Sequence, residues 1–185
     1  MMRLITLSIF LIVSGLLLSQ QANAQERNHE RVWVSPSAVV GQTIGLTQVE
    51  ITYGRPSVNE RIIFAEEGLA PYGTWWRTGA NESTVVTFSD DVFIEGELVE
   101  AGVYSIYTIP GADEWTVIIN DKLSWGTQYD EAEDRLRVQV VPETSHFVEQ
   151  MMIYFEDVTP EAGTLYIHWD TVRVPVRIAP DRVLD

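Results

Sequence analysis

The stretch Thr164-Leu165-Tyr166-Ile167-His168-Trp169-Asp170-Thr171-Val172-Arg173-Val174-Pro175-Val176-Arg177-Ile178 decides the fold class. Its apolar residues recur at every second position, the period of a strand with one buried face. A two-residue turn at Asp170-Thr171 sets Trp169 opposite Val172, Ile167 opposite Val174 and Leu165 opposite Val176. All six then share one face, as a half-buried antiparallel pair requires. Tyr166, His168, Arg173 and Arg177 fall on the other. The expectation is a hairpin of two strands, Thr164–Trp169 and Val172–Ile178. Asp-Thr is a weak turn pair, so a longer loop is the alternative.

The same signal extends upstream. Short runs of Val, Ile, Thr, Tyr, Phe and Trp, broken by Gly, Pro, Asn and Asp, read as strands. They fall at Val39–Ile44, Gln48–Tyr53, Thr84–Phe88, Val92–Ile94, Glu97–Val99, Val103–Ile109, Trp115–Asn120, Leu136–Val141 and Val148–Glu156. Glu95-Gly96 supplies a hairpin turn, and Pro110-Gly111 starts another. No segment keeps a helical period over several turns. Asp130–Arg135 reads as one helical turn, with Glu131 and Arg135 paired at i,i+4. About ten short strands in one domain predict an all-β fold, a single antiparallel sandwich of jelly-roll or immunoglobulin-like type, with a β-barrel as the alternative. Gly54 to Trp75 is the one long irregular stretch, of the kind that often covers a ligand.

The N-terminus carries Met1-Met2-Arg3, an apolar run from Leu4 to Leu18 and the small-x-small triplet Ala22-Asn23-Ala24. This is the pattern of a secretory signal peptide cleaved after Ala24. The run is short for a membrane span, which needs roughly 20 residues. The expected organisation is signal peptide 1–24, loose leader 25–31, β domain 32–178 and tail 179–185, in the periplasm or outside the cell. The chain has no Cys, which excludes disulfides and Cys-based metal sites, and it carries a net charge of −15. That charge repels phosphate backbones and anionic membrane surfaces, so nucleic acid is not an expected partner.

The usual catalytic signatures are missing: no Gly-x-Ser-x-Gly, no phosphate-binding Gly loop, no His-Glu-x-x-His. His29, His146 and His168 are widely spaced and read as surface or sheet-face residues rather than metal ligands. No catalytic residue, metal or cofactor is predicted. Three clusters carry polar chemistry. The first, Pro71 to Thr84, holds Trp76, Arg77, Asn81 and Glu82, which suit stacking, carboxylate gripping and hydroxyl orientation. The alternative is architecture: a core Trp, an Asn turn and an Arg77–Glu82 pair. The second is Arg55 and Arg61, which with Arg77 form an anion pocket or neutralise Glu60, Glu66 and Glu67. The third runs from Trp125 to Asp134, a second aromatic face beside an acidic loop that lacks the Ca²⁺-loop pattern. Asn81-Glu82-Ser83 also matches the glycosylation sequon.

Several stretches together resemble a known family. They are Thr52-Tyr53-Gly54-Arg55-Pro56-Ser57-Val58, Trp76-Arg77-Thr78-Gly79-Ala80-Asn81-Glu82, Ala101-Gly102-Val103-Tyr104-Ser105, Ile109-Pro110-Gly111-Ala112-Asp113-Glu114-Trp115-Thr116-Val117-Ile118 and Asp134-Arg135-Leu136-Arg137-Val138. In this order they resemble domain-of-unknown-function family 2911, a group of exported bacterial proteins, from about Ser35 to Ile178. The Trp-Arg-Thr-Gly-Ala-Asn-Glu run is the most specific part. The resemblance implies an exported, mostly β domain and brings no reaction, cofactor or ligand. Phe64-Ala65 stands where the pattern has Phe-Gly, and Trp75 adds a second Trp before the motif.

The resulting expectation is a non-catalytic protein that binds a small polar ligand such as a glycan or cell-wall fragment. Arg55, Arg61, Trp76, Arg77, Asn81, Glu82 and Trp125 would bind it. The alternatives are an envelope hydrolase pairing Glu82 with Asp130 or Asp134, and an envelope scaffold without a small ligand.

Overall fold

The computed structural model describes residues 31–182. The predicted signal peptide and most of the leader lie outside the described residues, as does His29. Among the described residues, ten strands build two antiparallel sheets. The six-stranded sheet contains β1 (Ser37–Ile44), β2 (Thr47–Gly54), β3 (Thr84–Phe88), β6 (Gly102–Ile109), β7 (Trp115–Asn120) and β8 (Asp134–Val140), in that order across the sheet. The four-stranded sheet runs β5 (Glu97–Val99), β4 (Val92–Ile94), β10 (Gly163–Pro180), β9 (Glu143–Glu156). Each sheet ends in edge strands, so the fold is a sandwich and not the alternative barrel. Glu95 and Gly96 both take positive φ (52° and 92°) and close the β4–β5 hairpin as expected.

The predicted C-terminal hairpin is not formed. Thr164 to Ile178 is a single strand that passes straight through Asp170-Thr171. What the alternation registered there is a change of parity. Leu165, Ile167 and Trp169 face the core, and so do Val174, Val176 and Ile178, while Asp170 and Thr171 both turn outward. Asp170 takes φ 55°, and the ladder to β9 slips between His168 and Asp170 and again between Asp170 and Val172. A bulge changes which face a strand buries just as a turn does, because it adds one residue to the period of two. Pro175 falls between the two ladders of this strand: pairing with β9 ends at Arg173, and pairing with β4 begins at Ile178. Its missing N–H therefore costs no ladder bond.

The one helical turn is a 3-10 segment, Glu131–Glu133, capped by the Asp130 side chain. The expected Glu131–Arg135 pair is absent, because Arg135 already belongs to β8 and reaches Asp121 (3.2 Å) and Glu100 (3.4 Å). Glu131 pairs with Arg137 instead, at 3.0 Å.

The core between the sheets is aromatic at one end. Trp76 stacks on Trp169 (5.7 Å, 17° between planes), and Phe64 meets Trp76, Trp115 and Trp169 edge-on at 5.8, 4.8 and 6.0 Å. On the outer face of β9 and β10, Tyr154 stacks on Tyr166, and Arg173 lies 4.5 Å above the Tyr166 ring while bonding Glu143 and Glu156. His168 is fully buried there, against the His146 ring (4.9 Å) and the Tyr154 hydroxyl (3.3 Å).

Deleting Thr171 removes the parity change and turns Val174, Val176 and Ile178 outward. At about 1.5–3 kcal/mol per buried aliphatic side chain, the loss rivals the whole stability of a domain. Circular dichroism should show no cooperative melt, whereas Asp170→Gly, which relieves the positive φ, should melt at or above wild type. Burial pushes the His168 imidazole below its ordinary value, against the opposing hydrogen bond to the His146 carbonyl. The unfolded chain then binds the proton more readily, so stability falls as pH drops below about 6.5. Melting from pH 7.5 to 5.5 should show a decline that His168→Gln reduces.

Candidate functional site

The segment from Gly54 to Ser83 is irregular but not loose. Pro56, Ser57 and Val58 run as a short strand along β9: the Val58 N–H donates to Glu149 O (2.8 Å) and the Met151 N–H to Pro56 O (3.0 Å). Arg55 precedes Pro56, which disfavours a helical backbone there, and its Nε donates to Met151 O at 2.8 Å. Further on, Trp76 exchanges backbone hydrogen bonds with Thr108 at 2.6 and 2.9 Å, continuing beside β6 where β3 has ended. These attachments hold the segment over one end of the sandwich. A cavity of about 380 Å³ lies there, walled by the loops around Ser57–Arg61 and Arg77–Ala80, by Val34, Ser35 and Leu69, and by the Trp76 and Trp169 rings.

Arg61 and Arg77 are the charged residues of this wall, and no carboxylate belongs to it. Arg61 donates from Nε to Val58 O (3.0 Å) and from Nη2 to Ser57 O (2.5 Å), which fixes the guanidinium and leaves Nη1 available. Arg77 is partly buried, its Nε is fully shielded, and that N–H has no acceptor. The expected architectural pair with Glu82 is not formed, nor do Arg55, Arg61 and Arg77 pair with Glu60, Glu66 or Glu67. Burial pushes the Arg77 guanidinium below its ordinary value, with the neighbouring Tyr107 opposing the shift. Tyr107 is itself fully buried, which raises its phenol, and it bonds Ser124 at 3.2 Å. The Arg77 stem crosses Gly126 so closely that a Cβ there would overlap Arg77 Cδ and approach Asn81 O at 2.9 Å.

The wall is also conformationally strained. Asn59 (φ 48°), Glu60 (58°), Thr78 (54°) and Asn81 (67°) all lie in the left-handed region, which a β-branched Thr rarely enters. Thr78 is held there from both sides: its hydroxyl bonds Thr108 Oγ1 (3.1 Å), and its carbonyl accepts from Thr84 Oγ1 (2.7 Å).

Of the seven predicted site residues, the structure brings Arg61, Trp76 and Arg77 to the cavity. Arg55 is tied to β9. Asn81 donates from Nδ2 to Ser35 O at 3.0 Å and accepts from the Gly126 N–H at 3.3 Å, so it clamps the N-terminal segment and the Gly126 loop. Glu82 is buried and bridges to the Trp125 backbone. Trp125 is exposed and packs on Trp33, 6.0 Å away. Sequence reasoning missed Ser35, Asn59, Leu69 and Trp169. Only Asn59, a residue type that tolerates positive φ, carries a local signal. The others reach the site through long-range packing. Asp130 and Asp134, the carboxylates considered for a catalytic pair, serve other partners. Asp130 caps the 3-10 turn and faces Lys122, and Asp134 bonds Asn120, Tyr129 and Arg137. Burial, together with the hydrogen bond to the Asp134 carboxylate, raises the Tyr129 phenol to about 12. Among the described residues, no group of three or more His, Asp or Glu is placed to hold a metal, and no helix is long and apolar enough to cross a membrane.

This division of roles has a measurable signature. Trp76→Ala empties the aromatic core and should cost about 3–5 kcal/mol. Arg77→Met replaces an unpaired buried charge with an apolar chain of similar length and should leave the melting temperature unchanged or raise it. A large loss of stability in Arg77→Met would mean that the guanidinium has a structural partner.

The sequence profile of the family described as "Protein of unknown function (DUF2911)" matches residues 35–178, from just before β1 to near the end of β10. No curated protein and no solved structure matches the chain. The match takes in both sheets, the irregular segment and every described wall residue of the cavity except Val34, and on that coverage the chain belongs to this family of proteins of unknown function, DUF2911.

Proposed function

We propose that this chain is an exported, non-catalytic β-sandwich that binds a small polar ligand at the open end of the sandwich, a glycan or cell-wall fragment above all. The observation that carries the reading is the shielded Arg77 Nε without an acceptor, beside a cavity with aromatic rings in its wall. Buried polar groups in proteins are almost always bonded, so an orphaned charged donor calls for an explanation. A ligand supplying the acceptor is one. The buried Trp76 and the half-exposed Leu69 give the wall apolar character, and the Arg61 and Asn59 loop offers polar contacts at the rim. Export rests on the N-terminal pattern cleaved after Ala24. It places the protein among envelope saccharides rather than nucleotides.

A thermal-shift screen of the chain from Gln25 tests this reading. The panel should hold neutral and acidic saccharides, cell-wall fragments and simple carboxylates. A ligand present at 100 times its Kd adds about 2.7 kcal/mol, enough for a shift of several degrees. A shift in wild type that is lost in folded Arg77→Met is the expected result. A panel without any shift would overturn the reading.

A further inference from the structure

Resting on that reading of the cavity, we infer that its ligand is a carboxylate of single-ring size, an acidic sugar such as a uronate, gripped by Arg77 and Arg61. Carboxylates far outnumber cations in this chain. It has 27 acidic residues against 12 basic ones, so carboxylate partners are abundant. Arg135, Arg137 and Arg173 each engage two of them. Arg61 and Arg77 engage none. Among the described residues, Arg55 and Arg177 also lack an ion pair, but Arg61 and Arg77 line one and the same cavity, and that cavity has no acid in its wall. A desolvated guanidinium without an anion is costly, and a carboxylate satisfies it with two parallel charge-assisted bonds.

The geometry adds selectivity. Arg61 is held by two backbone carbonyls, so little freedom remains to be lost when an anion arrives at Nη1. Arg77 is held by Gly126, where any side chain would displace its stem. A volume of about 380 Å³ is near the small end for ligand sites, roughly 300–1,000 Å³. It admits one ring more readily than an oligomer. Leu69 and the small uncovered part of Trp76 supply an apolar surface, which a bare inorganic anion would leave unused.

Calorimetric titration of the chain from Gln25 tests this with matched probes: glucuronate against glucose, N-acetylmuramate against N-acetylglucosamine, and inorganic phosphate. The expected result is binding of at least one acid, with its neutral counterpart about tenfold weaker or more, the least that a charge-assisted bond should contribute. Affinity should fall with added salt and be lost in Arg77→Met, with circular dichroism confirming that this variant is folded. Arg61→Gln should weaken the acid and leave any residual binding of the neutral sugar unchanged. If acid and neutral sugar bind alike, and both are lost in Arg77→Met, the sugar site stands and the carboxylate inference falls. If phosphate binds and the acids do not, or if no acid binds, the inference is overturned whatever the wider screen returns.

Discussion

The stacking of Trp76 on Trp169, with Phe64 and Trp115 set edge-on around them, is the contact on which the rest of the molecule depends. Trp169 belongs to β10 in the small sheet and Trp115 to β7 in the large one, while Phe64 and Trp76 come from the segment that belongs to neither. Four large rings packed this way join both layers and the crossing segment into one core. A structureless stretch of this length inside a compact domain would be unusual. Here two of its rings are core, and its ends are bonded to β9 and β6, so it behaves as a third, irregular wall.

That wall makes a cavity possible. Backbone regular enough to lie flat would close the end of the sandwich. The left-handed residues Asn59, Glu60, Thr78 and Asn81 bend the chain around an opening instead, and Asn81 ties Ser35 of the N-terminal segment across its other side. The strain and the orphaned Arg77 donor occur together, at one place, in a protein whose hydrogen bonding is otherwise complete among the buried side chains described. Proteins tolerate such local costs where function requires them.

Much of the fold was legible in the sequence because strand periodicity is local. The limits of β3, β4, β5 and β7 coincide with those read from the alternation of Val, Ile and Thr. Where the local pattern is ambiguous, long-range contacts decide the outcome. Asp170-Thr171 changes the buried face, and a turn or a bulge produces the same change. Only the path of β9 beside it decides between them. Arg135 has Glu131 at helical spacing, yet strand geometry carries it to Asp121. At the site, the grouping of Arg61, Trp76 and Arg77 was readable as an unusual concentration of cation and ring in an acidic chain. Asn81 and Glu82 look equally functional in sequence, and their roles as clamp and bridge emerge only from partners more than forty residues away.

The account stands on the claim that the Arg77 Nε–H waits for an acceptor from outside the protein. The most direct measurement is the Arg77 side-chain Nε–H resonance in a ¹⁵N–¹H spectrum, assigned by its loss in Arg77→Met and followed during titration with glucuronate. The account predicts that this resonance moves downfield and saturates, together with backbone signals of Ser57–Arg61 and Trp76–Ala80. A resonance already shifted as a hydrogen-bonded donor in the free protein, and unmoved by the acid, would contradict it.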